Sequence, residues 1–194
     1  METTAKLKDD TEIFIRMQRE EDLGQLLVFF QAMPAQDKRF LRFDVSRREV
    51  LEDRFRASES GRIQRIVAFA NNEIAAEGVL ELEGQGWKEH VGELRLFVSP
   101  AYQRKGLGML MARELYGLAA AAKVEEIVVK MMRPQIAAQK IFRRLGFHEE
   151  ILIPDYVKDR NGNVQDFILM RRDLESLWRE LEDYLAHSDW QRAR

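Results

Sequence analysis

The chain has 194 residues, 45% of them hydrophobic, with 31 basic and 33 acidic residues and a formal net charge of -2. That length suits one globular domain with a sizeable core, and the balanced charge gives no field toward nucleic acid or an anionic membrane. The absence of cysteine removes disulfides, thiolate nucleophiles and zinc-thiolate sites, leaving chemistry to carboxylates, a few His and Tyr side chains and the backbone.

The first ten residues are polar and carry acids, and they are expected to form a flexible tail. No apolar run of about 18 residues follows, so neither a signal peptide nor a membrane span is expected, and cytoplasmic residence is the default. Ile13, Ile15 and Met17 alternate as in a half-buried strand. Glu20, Glu21 and Asp22 then place negative charge at a helix start, and Leu23, Leu26, Leu27 and Phe30 repeat at helical spacing up to Pro34. A second, shorter helix is expected from Arg47 to Phe55, with Ser46 as its N-cap.

Residues 63–70 and 74–82 flank Asn71-Asn72 and read as a hairpin, because asparagine tolerates positive φ. Gly84, Gln85 and Gly86 mark a loop, and Val91 to Val98 forms a strand closed by Ser99-Pro100. The period changes at Gly106, where Leu107, Leu110, Met111, Leu115 and Leu118 begin a long helix. A compact strand at Ile127 to Met131 precedes Pro134, and Ile136, Ala137, Ile141, Phe142 and Leu145 form an apolar stripe on a helix ended by Gly146. Strands near 147–157 and 164–171 flank Asn161-Gly162, a strong turn signal. Leu174, Leu177, Trp178, Leu181, Tyr184 and Leu185 define one face of a last helix. The expected organisation is thus a tail (1–10), a domain (11–172) and a C-terminal helix (173–194).

The strand, short glycine loop and helix between Val98 and Leu107 make an anion site, since loop N–H groups converge and the helix dipole adds partial positive charge. Glycine at 106 and 108 lets phosphates approach the backbone, and Arg104 and Lys105 add full charges. The same two glycines can also simply turn the chain. Neither the Rossmann Gly-x-Gly-x-x-Gly spacing nor a Walker Gly-Lys-Ser/Thr is present, which disfavours dinucleotides and nucleoside triphosphates.

Gln103, Gly106 and Gly108, with Val98-Ser99-Pro100 before them and Phe142-Arg143-Arg144-Leu145-Gly146-Phe147 after, resemble the acetyl-CoA motif of the GNAT superfamily of N-acetyltransferases. The resemblance covers roughly residues 63–171 and implies an α/β fold: a central mixed, mostly antiparallel sheet flanked by helices, with the strands at Val98 and Ile127 parallel and splayed. It implies that the backbone N–H groups of Arg104, Lys105, Gly106, Leu107, Gly108 and Met109 cradle the pyrophosphate of acetyl-CoA. It further implies that the cofactor arm lies along Leu96, Phe97 and Val98, with one N–H facing the thioester carbonyl. Gln135 stands where the family often has a cofactor-binding asparagine, and equally reads as a polar helix-start residue.

Acetyl transfer to nitrogen requires a neutral amine. Glu93 matches the glutamate that protein-acetylating bacterial relatives use as general base, and equally reads as a surface residue of a half-exposed strand. Where many members have a proton-donating tyrosine, this chain has Phe142, which can lie against the cofactor but cannot donate a proton. The CoA thiolate then leaves without an enzymatic acid, or Tyr156 or His148 supplies one. Histidines at 90, 148 and 187 show no ligand spacing, so no metal is expected.

The aromatic run Phe29-Phe30 and the stretch Arg39 to Phe43 loosely resemble bacterial protein-lysine acetyltransferase domains, and a small amine is equally compatible. The first two helices carry no decisive charge pattern. The expected function is therefore direct transfer of an acetyl group from acetyl-CoA to a primary amine, protein lysine or small molecule. The alternative is a non-catalytic acetyl-CoA sensor, for which Phe142 speaks. The last helix raises a further expectation of homodimerisation.

Overall fold

The computed structural model describes residues 1–84 and 86–187, with the side chains of Leu185 and His187 excepted. Outside the described residues lie the Gln85 of the expected loop, the Leu185 side chain of the expected apolar face, the third histidine's side chain and residues 188–194. The elements in chain order are β1 (Glu2–Lys6), β2 (Glu12–Met17), α1 (Leu23–Gln31), α2 (Ala35–Lys38), α3 (Arg48–Ser58), β3 (Ile63–Ala70), β4 (Glu73–Leu82) and β5 (Val91–Val98). They continue with α4 (Leu107–Ala121), β6 (Glu126–Met132), α5 (Ile136–Arg144), β7 (His148–Lys158), β8 (Val164–Asp173) and α6 (Leu174–His187).

The strands form an eight-stranded sheet in the order β1-β2-β3-β4-β5-β6-β8-β7. β5 and β6 are parallel, and the other neighbours are antiparallel. Asn71 and Asn72 take φ of 51° and 64° in the β3–β4 turn, so the hairpin forms where two asparagines permit it. On one face Ile66, Leu80, Leu94, Ile127 and Val129 bury against Leu107, Leu110, Met111 and Leu115 of α4. On the other, Val67 packs with Leu26, Phe29 and Phe30 of α1 and Leu51 of α3. Each fully buried aliphatic or aromatic side chain of this size stabilises the fold by about 1.5–3 kcal/mol, so both faces are committed to the interior.

Several expectations are corrected. The N-terminus is no loose tail: Glu2–Lys6 pairs antiparallel with β2, Thr3 opposite Ile15, and Leu7 is buried. It lacks large apolar residues because it is an edge strand that buries little. Ser46 does not cap α3. Its hydroxyl donates to Asp44 Oδ1 at 2.5 Å, and Arg47 stands at the N-cap without a side-chain bond. In α5 the apolar stripe holds only in its last turn: Leu145 is buried and Phe142 half-buried, but Ile136, Ala137 and Ile141 are exposed and Gln139 is buried. The Gln139 amide makes burial tolerable by donating to the Arg133 carbonyl at 2.6 Å.

Asp22 does more than charge a helix end. It is buried, accepts two 2.7 Å bonds from Arg16, and accepts the Arg19 N–H at 2.7 Å. It therefore ties β2 to the start of α1. At the other end of the chain, α6 lies on its own domain: Leu177 and Leu181 are buried and Trp178 stacks on Tyr116 of α4 at 4.6 Å. Leu174, Leu177 and Leu181 of the apolar face that raised the expectation of a dimer are thus buried within the domain. Among the described residues, no helix is long and apolar enough to cross a membrane.

Candidate active site

β5 and β6 pair at Val91↔Glu126, Gly92↔Ile127 and Glu93↔Val128, although β5 continues to Val98 and β6 to Met132. Beyond Glu93 the two strands diverge and open a cleft in the middle of the sheet. The Ser99 N–H donates to the Ala75 carbonyl at 2.9 Å, and ladder bonds alternate with period two. Odd-numbered residues of β5 therefore bond to β4, and Leu96 and Val98 turn their N–H and C=O groups to the cleft. The Val98 carbonyl accepts the Gln103 side-chain amide at 3.1 Å, which folds the following loop back onto the strand. Phe97 departs from expectation: it stands opposite Glu77 on β4, and its ring packs edge-on against Phe30 at 5.5 Å. Its backbone is committed to the sheet and its side chain to the α1 core.

The loop from Gln103 to Gly106 takes left-handed backbone at Arg104 (φ 61°) and Gly106 (φ 96°), and Gly106 is the N-cap of α4. The second value lies where a side chain is strongly disfavoured. The N–H groups of Arg104, Lys105, Gly106, Leu107 and Gly108 have no acceptor among the described residues, as a nest at a helix N-terminus requires for an anion. Met109 is a correction, since its N–H already donates to the Gly106 carbonyl at 3.0 Å. A Cβ on Gly108 would meet Leu96 Cδ2 at 3.7 Å and Val98 Cγ2 at 4.0 Å, ordinary contacts. Internal packing therefore does not demand glycine at 108.

The β1–β2 turn braces this loop. The Lys8 N–H donates to the Lys105 carbonyl at 3.2 Å, and Asp9 pairs with the Lys105 ammonium at 2.8 Å. That ammonium, with the Thr11 hydroxyl, lowers the Asp9 pKa to about 2. Lys105 is thus half neutralised from within, which leaves Arg104 as the uncommitted cation of the loop among the described residues.

Glu93 stands at the point of divergence, and it is buried at 4% exposure rather than lying on a half-exposed surface. Its Oε1 accepts from Arg42 at 2.6 Å and its Oε2 from Lys130 at 2.7 Å, with Arg95 Nη1 at 3.7 Å from Oε1. Burial pushes the Glu93 carboxyl up, but the Lys130 ammonium and the Arg42 guanidinium together outweigh it, and the net shift is downward. The carboxylate is ionised and held from both sides. Arg42, Lys130 and Arg95 were not singled out from sequence; they come from the α2–α3 segment, β6 and β5. The hairpin tip between β7 and β8 closes on that same segment, with the Arg160 N–H on the Arg39 carbonyl at 2.9 Å and its guanidinium on Asp44 at 2.7 Å.

Phe142 is half-buried and packs edge-on against Phe147 at 5.3 Å. Tyr156 is 64% exposed against Phe167 on the sheet's edge hairpin, and His148 pairs with Glu150 at 2.8 Å. Gln135 is the N-cap residue of α5 and accepts the Met132 N–H on its Oε1 at 2.7 Å, leaving its NH₂ group for other contacts.

A sheet split between two parallel strands, with an N–H nest at the head of the connecting helix, defines an acyl-CoA-dependent acyltransferase. Residues 29–147 match the sequence model of the Acetyltransferase (GNAT) family, which is more than half of the chain, and the chain belongs to that family. It is accordingly an acyltransferase, with acetyl-CoA as its co-substrate. The fold is shared with Mycobacterium smegmatis RimJ in complex with CoA-disulfide, at 15% identity and TM-score 0.78 over 95% of this chain and 92% of that one. It is shared also with the acetyltransferase of the GNAT family from Streptococcus pneumoniae (21%, 0.70, over 83% and 99%). A third is yncA from Salmonella typhimurium with its cofactor acetyl-CoA (18%, 0.69, over 84% and 94%). No curated protein matches the sequence.

Proposed function

We propose that the protein transfers an acetyl group from acetyl-CoA directly to a primary amine, protein lysine or small molecule, with the diphosphate on the N–H groups of Arg104 to Gly108. The observation that carries this reading is the β5 edge beyond Glu93, where Leu96 and the Val98 N–H face no partner strand among the described residues, continuous with the nest at Gly106. That edge can pair with the amides of the cofactor arm as an added strand would, and an N–H of the same edge can stabilise negative charge on the thioester oxygen. The amine nitrogen attacks the thioester carbon, the C–N bond forms and the C–S bond breaks. The amine's proton passes to Glu93, directly or through a water, and the thiolate departs without a donor at Phe142.

Glu93 serves as base only when one of its cationic partners is drawn away, since the two close cations lower its basicity and occupy both its oxygens. The competing reading, a sensor that binds acetyl-CoA without turnover, is favoured by Phe142 being committed to Phe147. Thiol release from acetyl-CoA, followed with small amines, polyamines and lysine peptides, separates the two. Amine-dependent release is expected, and a thermal shift with acetyl-CoA but release from no amine would favour the sensor.

A further inference from the structure

The sheet face under α3 carries alternating charges: Arg65 on β3, Glu77 and Glu81 on β4, and Glu93 and Arg95 on β5. Each carboxylate there has a guanidinium partner. Glu77 takes Arg65 at 3.2 Å, both being 4% exposed; Glu81 takes Arg95; and Glu93 takes Arg42. Arg54 of α3 is a guanidinium of the same neighbourhood without a carboxylate among the described residues. Its Cζ lies over the Phe43 ring at 4.4 Å, next in sequence to Arg42. Burial, reinforced by the nearby charges of Arg65 and Arg95 and only partly offset by those of Glu77 and Glu81, lowers its pKa to about 10. A second donor points the same way: the Nε of Arg95, a side chain 10% exposed, is buried with no hydrogen-bond partner among the described residues.

A half-buried guanidinium with no carboxylate bonded to it is unfavourable unless an anion completes it. The natural completion is a ligand arriving on the α3 side of the cleft, opposite α4, where the acceptor amine must reach Glu93. Resting on the transferase reading above, we propose that the acceptor is a small amine bearing a carboxylate, which is bound by Arg54 stacked on Phe43 and shared with Arg42. Arg42 suits this sharing, being 41% exposed and fixed to Glu93 by one bond. As it turns toward the incoming carboxylate it frees Glu93 Oε1 to take the amine's proton. Binding of the acceptor's anionic group and release of the base are then one event.

The test compares the common L-amino acids with their carboxamides as acceptors, in wild type and in Arg54→Met. The carboxamides are the less basic amines and hold more free base at neutral pH, so intrinsic reactivity favours them, and preference for the acid has to come from the site. Wild type is expected to prefer at least one amino acid over its carboxamide by kcat/KM. Arg54→Met should shrink that ratio on the order of tenfold to a hundredfold, chiefly through KM of the acid, as expected for loss of a charge-assisted hydrogen bond. Because Arg54 has no bonded carboxylate and methionine can keep the contact with Phe43, the variant should melt close to wild type, and a large loss of stability would mark Arg54 as structural and overturn the proposal. Equal use of acid and amide, an unchanged ratio in Arg54→Met, or turnover confined to cationic amines would also overturn it while leaving the transferase reading standing. Thiol release with no amine of any charge would instead refute the transferase reading itself.

Discussion

Replacing Glu93 by glutamine separates its structural from its chemical role, because the variant keeps the shape and removes the charge. In the wild type one carboxylate at 4% exposure receives bonds of 2.6 Å and 2.7 Å from Arg42 and Lys130. Hydrogen bonds to charged groups contribute about 1.5–3 kcal/mol each, but Arg42 is 41% and Lys130 25% exposed, so water recovers part of the loss. A net destabilisation of about 2–3 kcal/mol at pH 7 follows, below the roughly 3–5 kcal/mol of a fully buried broken pair. For a chain of this size that lowers Tm by about 4–12 °C.

The pH dependence has a fixed sign. The folded-state pKa of Glu93 lies below its ordinary value, so the stabilisation is fully present above the unfolded pKa of about 4.3 and disappears as pH falls through the folded pKa. Urea melts of both proteins from pH 7 downward should therefore converge in acid. A variant as stable as wild type at pH 7, or a difference that persists unchanged at the lowest pH, would refute the reasoning. Turnover is expected to fall on the order of 10²-fold with acetyl-CoA affinity retained.

Asp22→Ala removes three 2.7 Å bonds and strands Arg16 in a buried site, so denaturant melts should show a loss of about 3–5 kcal/mol. Leu181→Ala empties a 0% exposed position and should cost about 2–5 kcal/mol. If α6 packs only on its own domain, that loss is independent of protein concentration, whereas a concentration-dependent Tm would restore the dimer.

The parts of this protein legible in its sequence are those written in contiguous residues. Val91 to Val98 and the Asn71-Asn72 hairpin follow from alternation and turn chemistry, and the nest follows from Gly106 and Gly108 at a change of period. β1 was hidden because a short edge strand with Thr3 and Thr4 shows no large apolar alternation. The phase of α5 was misread because Gln139 is buried through a backbone hydrogen bond that hydrophobic spacing does not register. The surroundings of Glu93 are least legible: Arg42, Lys130 and Arg95 lie on three segments that only the fold and the sheet register bring together. Burial, usually a sign of an inert core residue, here accompanies charge, because each acid finds its cation on a neighbouring element.

The central claim, that acetyl-CoA lies between α4 and β5 with its diphosphate on the Arg104 to Gly108 backbone, is tested most directly by calorimetric titration of acetyl-CoA into wild type and Gly108→Leu. The first side-chain atom at 108 meets ordinary contacts at 3.7 Å and 4.0 Å, so the variant should still fold while its longer side chain obstructs the space between α4 and β5 and binding is lost. Wild-type affinity in a folded Gly108→Leu protein would contradict the account.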